Sequence, residues 1–136
     1  MKTLIKYILE QITNHDLNKC NHSLVDGLSG ISLFLHEYGN AYNDKKIIDL
    51  ADELTEKIWD NLMGTMRGDS SNFYYGSSGI LWAFEYLEMR EFISLDSKSK
   101  EYLFLMNDNK YILERFSTPI LIDIRCGLFA HGVYFL

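Results

Sequence analysis

Cysteine and histidine are the side chains of this sequence best suited to chemistry, because thiolate and imidazole groups bind zinc. Cys20 and His22 are close enough to share a metal ion, but the sequence places no third ligand beside them. Cys126 and His131 are five residues apart, which is about 140° around a helix, so they do not share a helical face. We therefore predict no metal site. Cys126 is expected as a small buried thiol and His131 as a neutral, hydrogen-bonded helix histidine.

The other residues that could carry chemistry stand before glycines. Asp26 precedes Gly27, where a carboxylate would cap a helix and meet its free N–H groups. Tyr75 stands before the glycine of a second motif of the same kind. His15 and His36 have no partner at ligand spacing. The sequence also shows no Ser-His-Asp pattern, phosphate loop or carboxylate pair that would indicate hydrolysis or phosphoryl transfer.

Three ten-residue segments align without gaps and predict the elements that position these groups. They begin Asp-Gly-Leu-Ser-Gly-Ile, Tyr-Gly-Ser-Ser-Gly-Ile and Cys-Gly-Leu-Phe-Ala-His, and they cover residues 26–35, 75–84 and 126–135. Their leading glycines, Gly27, Gly76 and Gly127, are 49 and 51 residues apart. Each start is followed by a run that is apolar nearly all round, which is typical of a helix packed on more than one side. A glycine at such a start lets another backbone or a ligand come close.

A second kind of helix lies between the first two copies. Its apolar positions recur at spacings of three and four, namely Ile47, Leu50, Ala51, Leu54, Ile58 and Leu62. Charged side chains fill the other face, which predicts a half-exposed helix over about 44–63. We also expect helices over 2–14, 96–104 and 107–116, and a polar loop over 64–73. Gly39 is expected as the left-handed C-cap of the first buried helix.

One repeat is therefore a glycine-led buried helix plus a surface helix. Stacked pairs of this kind form a solenoid or, when closed, a toroid. We predict an all-α protein in which residues 1–136 form one helical domain, with repeats that start near Gly27, Gly76 and Gly127. The alternative is that glycines recur before apolar helices by chance, since the third copy is imperfect.

Composition and charge exclude several classes of protein. The chain has 136 residues, 47% of them hydrophobic, and a net charge of −6. That charge would repel nucleic acid and anionic membrane surfaces, and no dense Lys/Arg cluster offsets it. Charges interrupt the N-terminal apolar positions, which favours an amphipathic helix over a signal peptide, and two cysteines do not make a secreted framework. We expect a cytoplasmic protein.

At the glycine motifs the chain resembles the lanthionine synthetase C-like (LanC-like) family. The stretch Asp-Gly-Leu-Ser-Gly-Ile at 26–31, with Leu-Phe-Leu at 33–35, is similar to an early repeat of that family, and the likeness runs from about residue 23 to 136. The resemblance implies an incomplete α/α toroid, with inner helices inside outer ones and inner-helix starts facing a central opening. It implies that Asp26, Tyr75, Cys126 and His131 line that opening and could contact a peptide.

The resemblance also implies a zinc-dependent chemistry, but this sequence lacks the motifs that bind the zinc. Catalytic members bind zinc through Trp-Cys-x-Gly and Cys-His-Gly motifs, and the zinc activates a peptide thiol that adds to a dehydrated Ser or Thr. Neither motif occurs here. Arg125 stands where the ligand cysteine would, and Cys126 where the histidine would. We therefore expect no cofactor for this chain, and a little over two of seven repeats, either in a naturally short protein or in a fragment.

The sequence leaves several functions open. The first is a fragment related to peptide-modifying thioether cyclases, inactive alone but able to meet its missing repeats. The second is a non-catalytic helical module that binds a peptide or protein. A third is an α/α-toroid glycan-processing domain, for which only Asp26 supplies a helix-start carboxylate. The apolar end at 133–136 predicts self-association through the C-terminal helix.

Overall fold

The computed structural model of the chain describes residues 2–65 and 74–100, and every regular element in these ranges is helical. The four α-helices are α1 (Lys2–Asn14), α2 (Leu28–Tyr42), α3 (Lys45–Thr65) and α4 (Ser77–Met89), with a 3-10 helix over Leu17–Lys19. Residues 97–100 are helical as well. The all-α prediction is confirmed for this part of the chain. The loop predicted at 64–73 begins later than expected, because α3 continues to Thr65. The rest of that loop, the helix predicted at 107–116, the third motif and the closure of a toroid lie outside the described residues.

Helices α2 and α3 form an antiparallel hairpin that holds most of the core. Asn43 and Asp44 are the only residues between the two helices. The contact between Gly39 and Ile48 near the turn, and that between Ser32 and Thr55 further away, show that the chains run in opposite directions. The predicted apolar stripe of α3 faces inward. Its members are buried or packed against the core, namely Ile47, Leu50, Ala51, Leu54, Ile58 and Leu62.

Helix α4 lies beside α2 and runs parallel to it, in the register of the sequence repeat. Near the helix starts, the backbone N–H of Val25 donates to the carbonyl of Tyr74 at 2.9 Å. Towards the other end, the Tyr86 hydroxyl donates to Glu37 at 2.6 Å. Both pairs join residues 49 positions apart, which is the spacing of Gly27 and Gly76. The period in the sequence is therefore the distance along the chain between neighbouring inner helices.

Helix α1 packs on this core through one side and presents apolar side chains on another. Leu9 and Ile12 are partly buried against the core, whereas Leu4 and Tyr7 are 61% and 57% exposed. No helix in the described ranges is both long and apolar enough to span a bilayer.

Two expectations about helix ends were wrong. Gly39 is not a C-cap, because α2 continues through it to Tyr42 and the left-handed cap is Asn43, at φ 52°. Glycine is needed at position 39 for space, since a Cβ there would lie 2.7 Å from Cγ1 of Ile48 at the start of α3. Asp26 is not a cap either. It adopts a left-handed conformation (φ 61°) in the loop, and the N-cap of α2 is Gly27, which makes no side-chain cap.

Candidate functional site

The starts of α2 and α4 are brought together by a short loop that folds over the first of them. Residues 21–25 turn back across the start of α2, where the backbone N–H of Leu28 donates to the carbonyl of Asn21 at 2.8 Å. The side-chain oxygen of Asn21 accepts from the N–H of Ser23 at 2.9 Å. The Ser29 hydroxyl donates to the carbonyl of His22 at 2.6 Å. These bonds satisfy helix-start and loop groups that would otherwise be unpaired in a partly buried place.

The two glycines of the first motif make this cover possible. A Cβ on Gly27 would lie 2.6 Å from both the backbone nitrogen and the carbonyl oxygen of Ser23. A Cβ on Gly30 would be driven into the carbonyl oxygen of Leu24. The sequence predicted that a glycine here lets another backbone or a ligand come close. In the first motif, the segment that comes close is the chain's own backbone at Ser23 and Leu24.

A pocket of about 180 Å³ opens beside this loop, at the start of α4. Its polar lining includes His22 and Ser23 from the loop, Asn61 from α3 and Ser77 from α4. Tyr75 stands at its edge with 48% of its surface exposed. We call this space the helix-start pocket. It joins three elements, so groups that can donate and accept hydrogen bonds converge on a place reachable from solvent.

His22 is held in this pocket in its neutral form. The side-chain nitrogen of Asn61 lies 2.9 Å from Nε2 of the ring. An amide NH₂ group donates, so a neutral ring can accept this hydrogen bond, whereas an imidazolium ion cannot. Partial burial, followed by the nearby positive charge of Lys57, lowers the pKa of His22 below its usual 6.5. Both effects disfavour the imidazolium ion, and His22 is therefore a polar, uncharged group near pH 7.

A second polar cluster lies between α2 and α3, and no motif in the sequence predicted it. The Thr55 hydroxyl donates to the carbonyl of Ala51 at 2.8 Å and lies 2.7 Å from the Ser32 hydroxyl and 3.1 Å from Nε2 of His36. Thr55 can accept from both, which places the His36 proton on Nε2. Nδ1 of His36 is buried without a hydrogen-bond partner in the described part of the chain. The sequence offers His36 no partner at ligand spacing, and Thr55, which contacts its ring, is 19 residues away along the chain.

The opposite ends of α2 and α4 are tied by a charged group. Arg90 contacts both oxygens of Glu37, at 3.0 and 3.2 Å, and the Tyr86 hydroxyl donates to the same carboxylate. The Tyr86 hydrogen bond and then Arg90 hold the pKa of Glu37 below its usual range. The repeat period is the signal that could have revealed this contact, because Glu37 and Tyr86 are one period apart.

The residues predicted at the site are divided between described and undescribed parts of the chain. Asp26 is exposed in the loop that precedes α2, and Tyr75 borders the helix-start pocket. Cys126 and His131 lie outside the described residues. Asn21, Ser23 and Asn61 were missed: the first two adjoin His22 in the chain but belong to no motif, and only the fold brings Asn61 beside it.

The described residues do not provide a zinc site. Within 2–65 and 74–100, no group of three or more His, Cys, Asp or Glu side chains could hold a metal ion. The ring of His22 contacts Asn61, and Cys20 is half-buried against the core. A donor set for zinc needs three protein ligands around one open position, and this arrangement lacks it.

Comparison with known proteins gives one match. The family model described as lanthionine synthetase C-like protein matches residues 19–112, which is more than half of the chain. The match includes all of α2, α3 and α4 and begins after α1. No curated protein and no solved structure matches the chain.

Proposed function

Because the chain belongs to the lanthionine synthetase C-like family, we propose that these residues supply a peptide-binding surface and do not themselves form thioether bonds. The family match supports the relation to lanthionine synthetase-like proteins. That these residues bind a peptide, and that they lack cyclase activity, is our proposal. It applies to the 136 residues themselves, whether they act alone or with further repeats.

The observation that carries the proposal is the helix-start pocket. A peptide offers amide donors and acceptors along its backbone, and the pocket presents matching groups from His22, Asn61 and Ser77. Tyr75, about half exposed at the edge, offers an aromatic face with a hydroxyl. The volume of about 180 Å³ is that of about six water molecules at about 30 Å³ each, so it suits one side chain of a bound peptide.

The zinc chemistry of complete family members supports the second half of the proposal. Zinc, when bound, lowers the pKa of a peptide thiol and so prepares it for addition to a dehydrated residue. The motifs that carry its ligands are not in this sequence, and the described residues do not fit the ion. No cyclase step is therefore assigned to this chain's side chains.

Peptide binding is tested with a blocked peptide that contains one cysteine and one dehydroalanine. We expect Tyr75→Ala to weaken its binding to the full chain by about fivefold to tenfold, since aromatic contacts contribute about 0.5–1.5 kcal/mol. Tyr42→Ala is the matched control, because Tyr42 is 51% exposed at the far end of α2. Isothermal titration calorimetry gives both affinities. Equal losses in the two variants, or no binding at all, would overturn the peptide role.

Cyclase activity is tested with the same peptide and a thiol-alkylating reagent. Thioether formation leaves the peptide mass unchanged but removes the free thiol, so a cyclised product escapes alkylation. We expect the peptide to be alkylated to the same extent with and without the protein, in the presence or absence of zinc. Protection from alkylation that depends on the protein would show that the chain is catalytic, without bearing on whether Tyr75 binds the peptide.

A further inference from the structure

A larger groove lies beside the α2–α3 contact, with Thr55 of that contact and Phe84 of α4 in its lining. It is bounded by α3 and by the segment 92–99 that follows α4, and its volume is about 580 Å³. Ligand sites in proteins typically have volumes of about 300–1,000 Å³. We call it the acidic groove, because Asp52, Glu56 and Asp60 line it from α3 and Asp96 lines it from the other wall. None of these residues lines the helix-start pocket.

In the described part of the chain, the three groove carboxylates of α3 form no ion pair with a Lys or Arg. Asp52, Glu56 and Asp60 are four residues apart along one face of α3, a spacing at which like charges repel and destabilise a helix. Among the described residues, no Lys or Arg forms an ion pair with Glu56 or Asp60. The described lysine and arginine ion pairs are instead Lys19–Asp16, Lys45–Asp49, Arg90–Glu37 and Lys100–Glu88.

The buried histidine beside the groove does not offset the charge of the α3 carboxylates. His36 approaches Asp52 at 3.9 Å, but burial lowers the pKa of His36, with Asp52 opposing that effect, so the ring is neutral near pH 7. The hydrogen bonds from Ser99 lower the pKa of Asp96, as does the charge of Lys98, and this keeps the carboxylate ionised. The groove therefore carries net negative charge at physiological pH.

The walls between these charges are apolar and aromatic. Trp59 and Ile93 line the groove alongside the carboxylates. Phe92 lines it too, with its ring stacked on His36 at 5.7 Å and the Arg90 guanidinium 5.3 Å from its centroid. Aliphatic stems of Lys or Arg pack on such surfaces while their charged ends reach carboxylates, and aromatic faces attract cations.

We propose that the acidic groove docks a basic, amphipathic peptide segment of a partner protein. Its Lys or Arg ends would pair with Glu56, Asp60 and Asp96, and its apolar side chains would cover Trp59 and Ile93. Charge complementarity selects this occupant. A second copy of the chain carries a net charge of −6 and would be repelled, as would a nucleic acid. The groove is a surface separate from the helix-start pocket and does not depend on the function proposed for it.

The test uses the full chain and an acetylated, amidated peptide of sequence Lys-Leu-Arg-Leu-Lys. We expect it to bind in calorimetry and to weaken as NaCl is raised from 20 to 300 mM, values chosen to shorten the Debye length from roughly 20 Å to below about 10 Å. The corresponding Glu-Leu-Glu-Leu-Glu peptide is expected not to bind. Binding of the acidic peptide with similar affinity, or no binding of the basic one, would overturn the proposal.

Matched charge variants locate the binding surface. The double variant E56Q/D60N is expected to weaken binding of the basic peptide by about tenfold, since it removes two exposed ion pairs. The control E10Q/E53Q removes two exposed carboxylates that do not line the groove. It is expected to change the affinity less than twofold, because exposed charges away from the bound peptide contribute little. Equal effects would mean that only net charge attracts the peptide, which contradicts a specific site.

Two further measurements separate the groove from folding effects and from the other site. E56Q/D60N relieves like-charge repulsion along α3, so thermal unfolding is expected at an unchanged or higher temperature. Tyr75→Ala is expected to leave the basic peptide's affinity unchanged. A loss of affinity in Tyr75→Ala equal to that in E56Q/D60N would assign the peptide to the helix-start pocket and overturn the proposal.

Discussion

Helices α2 and α4 start with the same motif but have different interiors. With the two copies aligned by their glycines, Leu81 and Glu85 of α4 occupy the positions of Ser32 and His36 in α2. Ser32 and His36 are buried against Thr55 of α3. Leu81 is buried as an apolar residue, and Glu85 is exposed. At these two positions α2 therefore contacts α3 through hydrogen bonds, whereas α4 has a buried apolar side chain and an exposed carboxylate.

Glycine use differs in the same way. Gly39 of α2 lets the start of α3 approach, and the equivalent residue of α4 is Glu88, which pairs with Lys100 at 2.7 Å. The comparison shows that the leading glycine motif specifies where an inner helix begins and how it is registered. The residues two and three turns later determine how closely, and with what chemistry, the next helix packs on it.

The largest expected effect is at the covered start of α2. Gly30→Ala is expected to reduce the free energy of unfolding by about 3 kcal/mol, because the new Cβ meets the Leu24 carbonyl and the loop must move. Gly39→Ala is the graded comparison and is expected to cost less, about 1–2 kcal/mol, since a side-chain atom of Ile48 is its closest neighbour. Urea unfolding measures both. A Gly30→Ala cost no larger than that of Gly39→Ala would show that the loop does not cover the helix tightly.

An intermediate effect is expected at the polar contact between α2 and α3. Thr55→Val keeps the shape of the side chain but leaves the Ser32 hydroxyl and the His36 ring without their shared partner, at a cost of about 2 kcal/mol. Thr13→Val is the matched control, because Thr13 also donates to the carbonyl four residues earlier but is exposed on α1. We expect the control to change stability by less than about 0.5 kcal/mol. Similar losses in both would mean that the cross-helix contact contributes nothing.

The smallest effect is a pH dependence that originates in α2. The pKa of His36 is lowered by burial from 6.5 in the unfolded chain, so the unfolded state binds the proton more tightly. Its stabilising contribution is complete above about pH 6.5 and is lost as the pH falls through the folded pKa, by at most about 1.4 kcal/mol per pH unit. His22 behaves in the same sense because its pKa is also lowered.

Paired variants attribute this pH dependence to one histidine or the other. Urea unfolding at pH 7.5 and 5.5 should show a smaller loss in His36→Gln than in the unmodified chain. His22→Gln should reduce the loss less, because His22 is only half-buried. Should the His36→Gln variant lose as much stability on acidification as the unmodified chain, His36 would not be the titrating group.

Local sequence patterns predicted the four described α-helices, apart from the end of α2. The spacing of apolar residues predicted α1 with its observed bounds and the buried stripe of α3. The glycine motifs predicted the starts of α2 and α4, since local steric rules and the 3.6-residue period act within a few positions of the chain. The family resemblance also rested on these motifs, and the match over residues 19–112 confirmed it.

Only the tertiary structure determined what those helices bring together. The partners of His22 and His36 lie 39 and 19 residues away, and no local rule joins residues at such separations. The role of Gly39 was mistaken because it depends on α3 packing against it, and that of Asp26 because the loop at 21–25 folds over the start of α2 and Gly27 is the N-cap. The helix-start pocket and the acidic groove arise between elements, so their shape and charge follow from packing that a linear pattern does not contain.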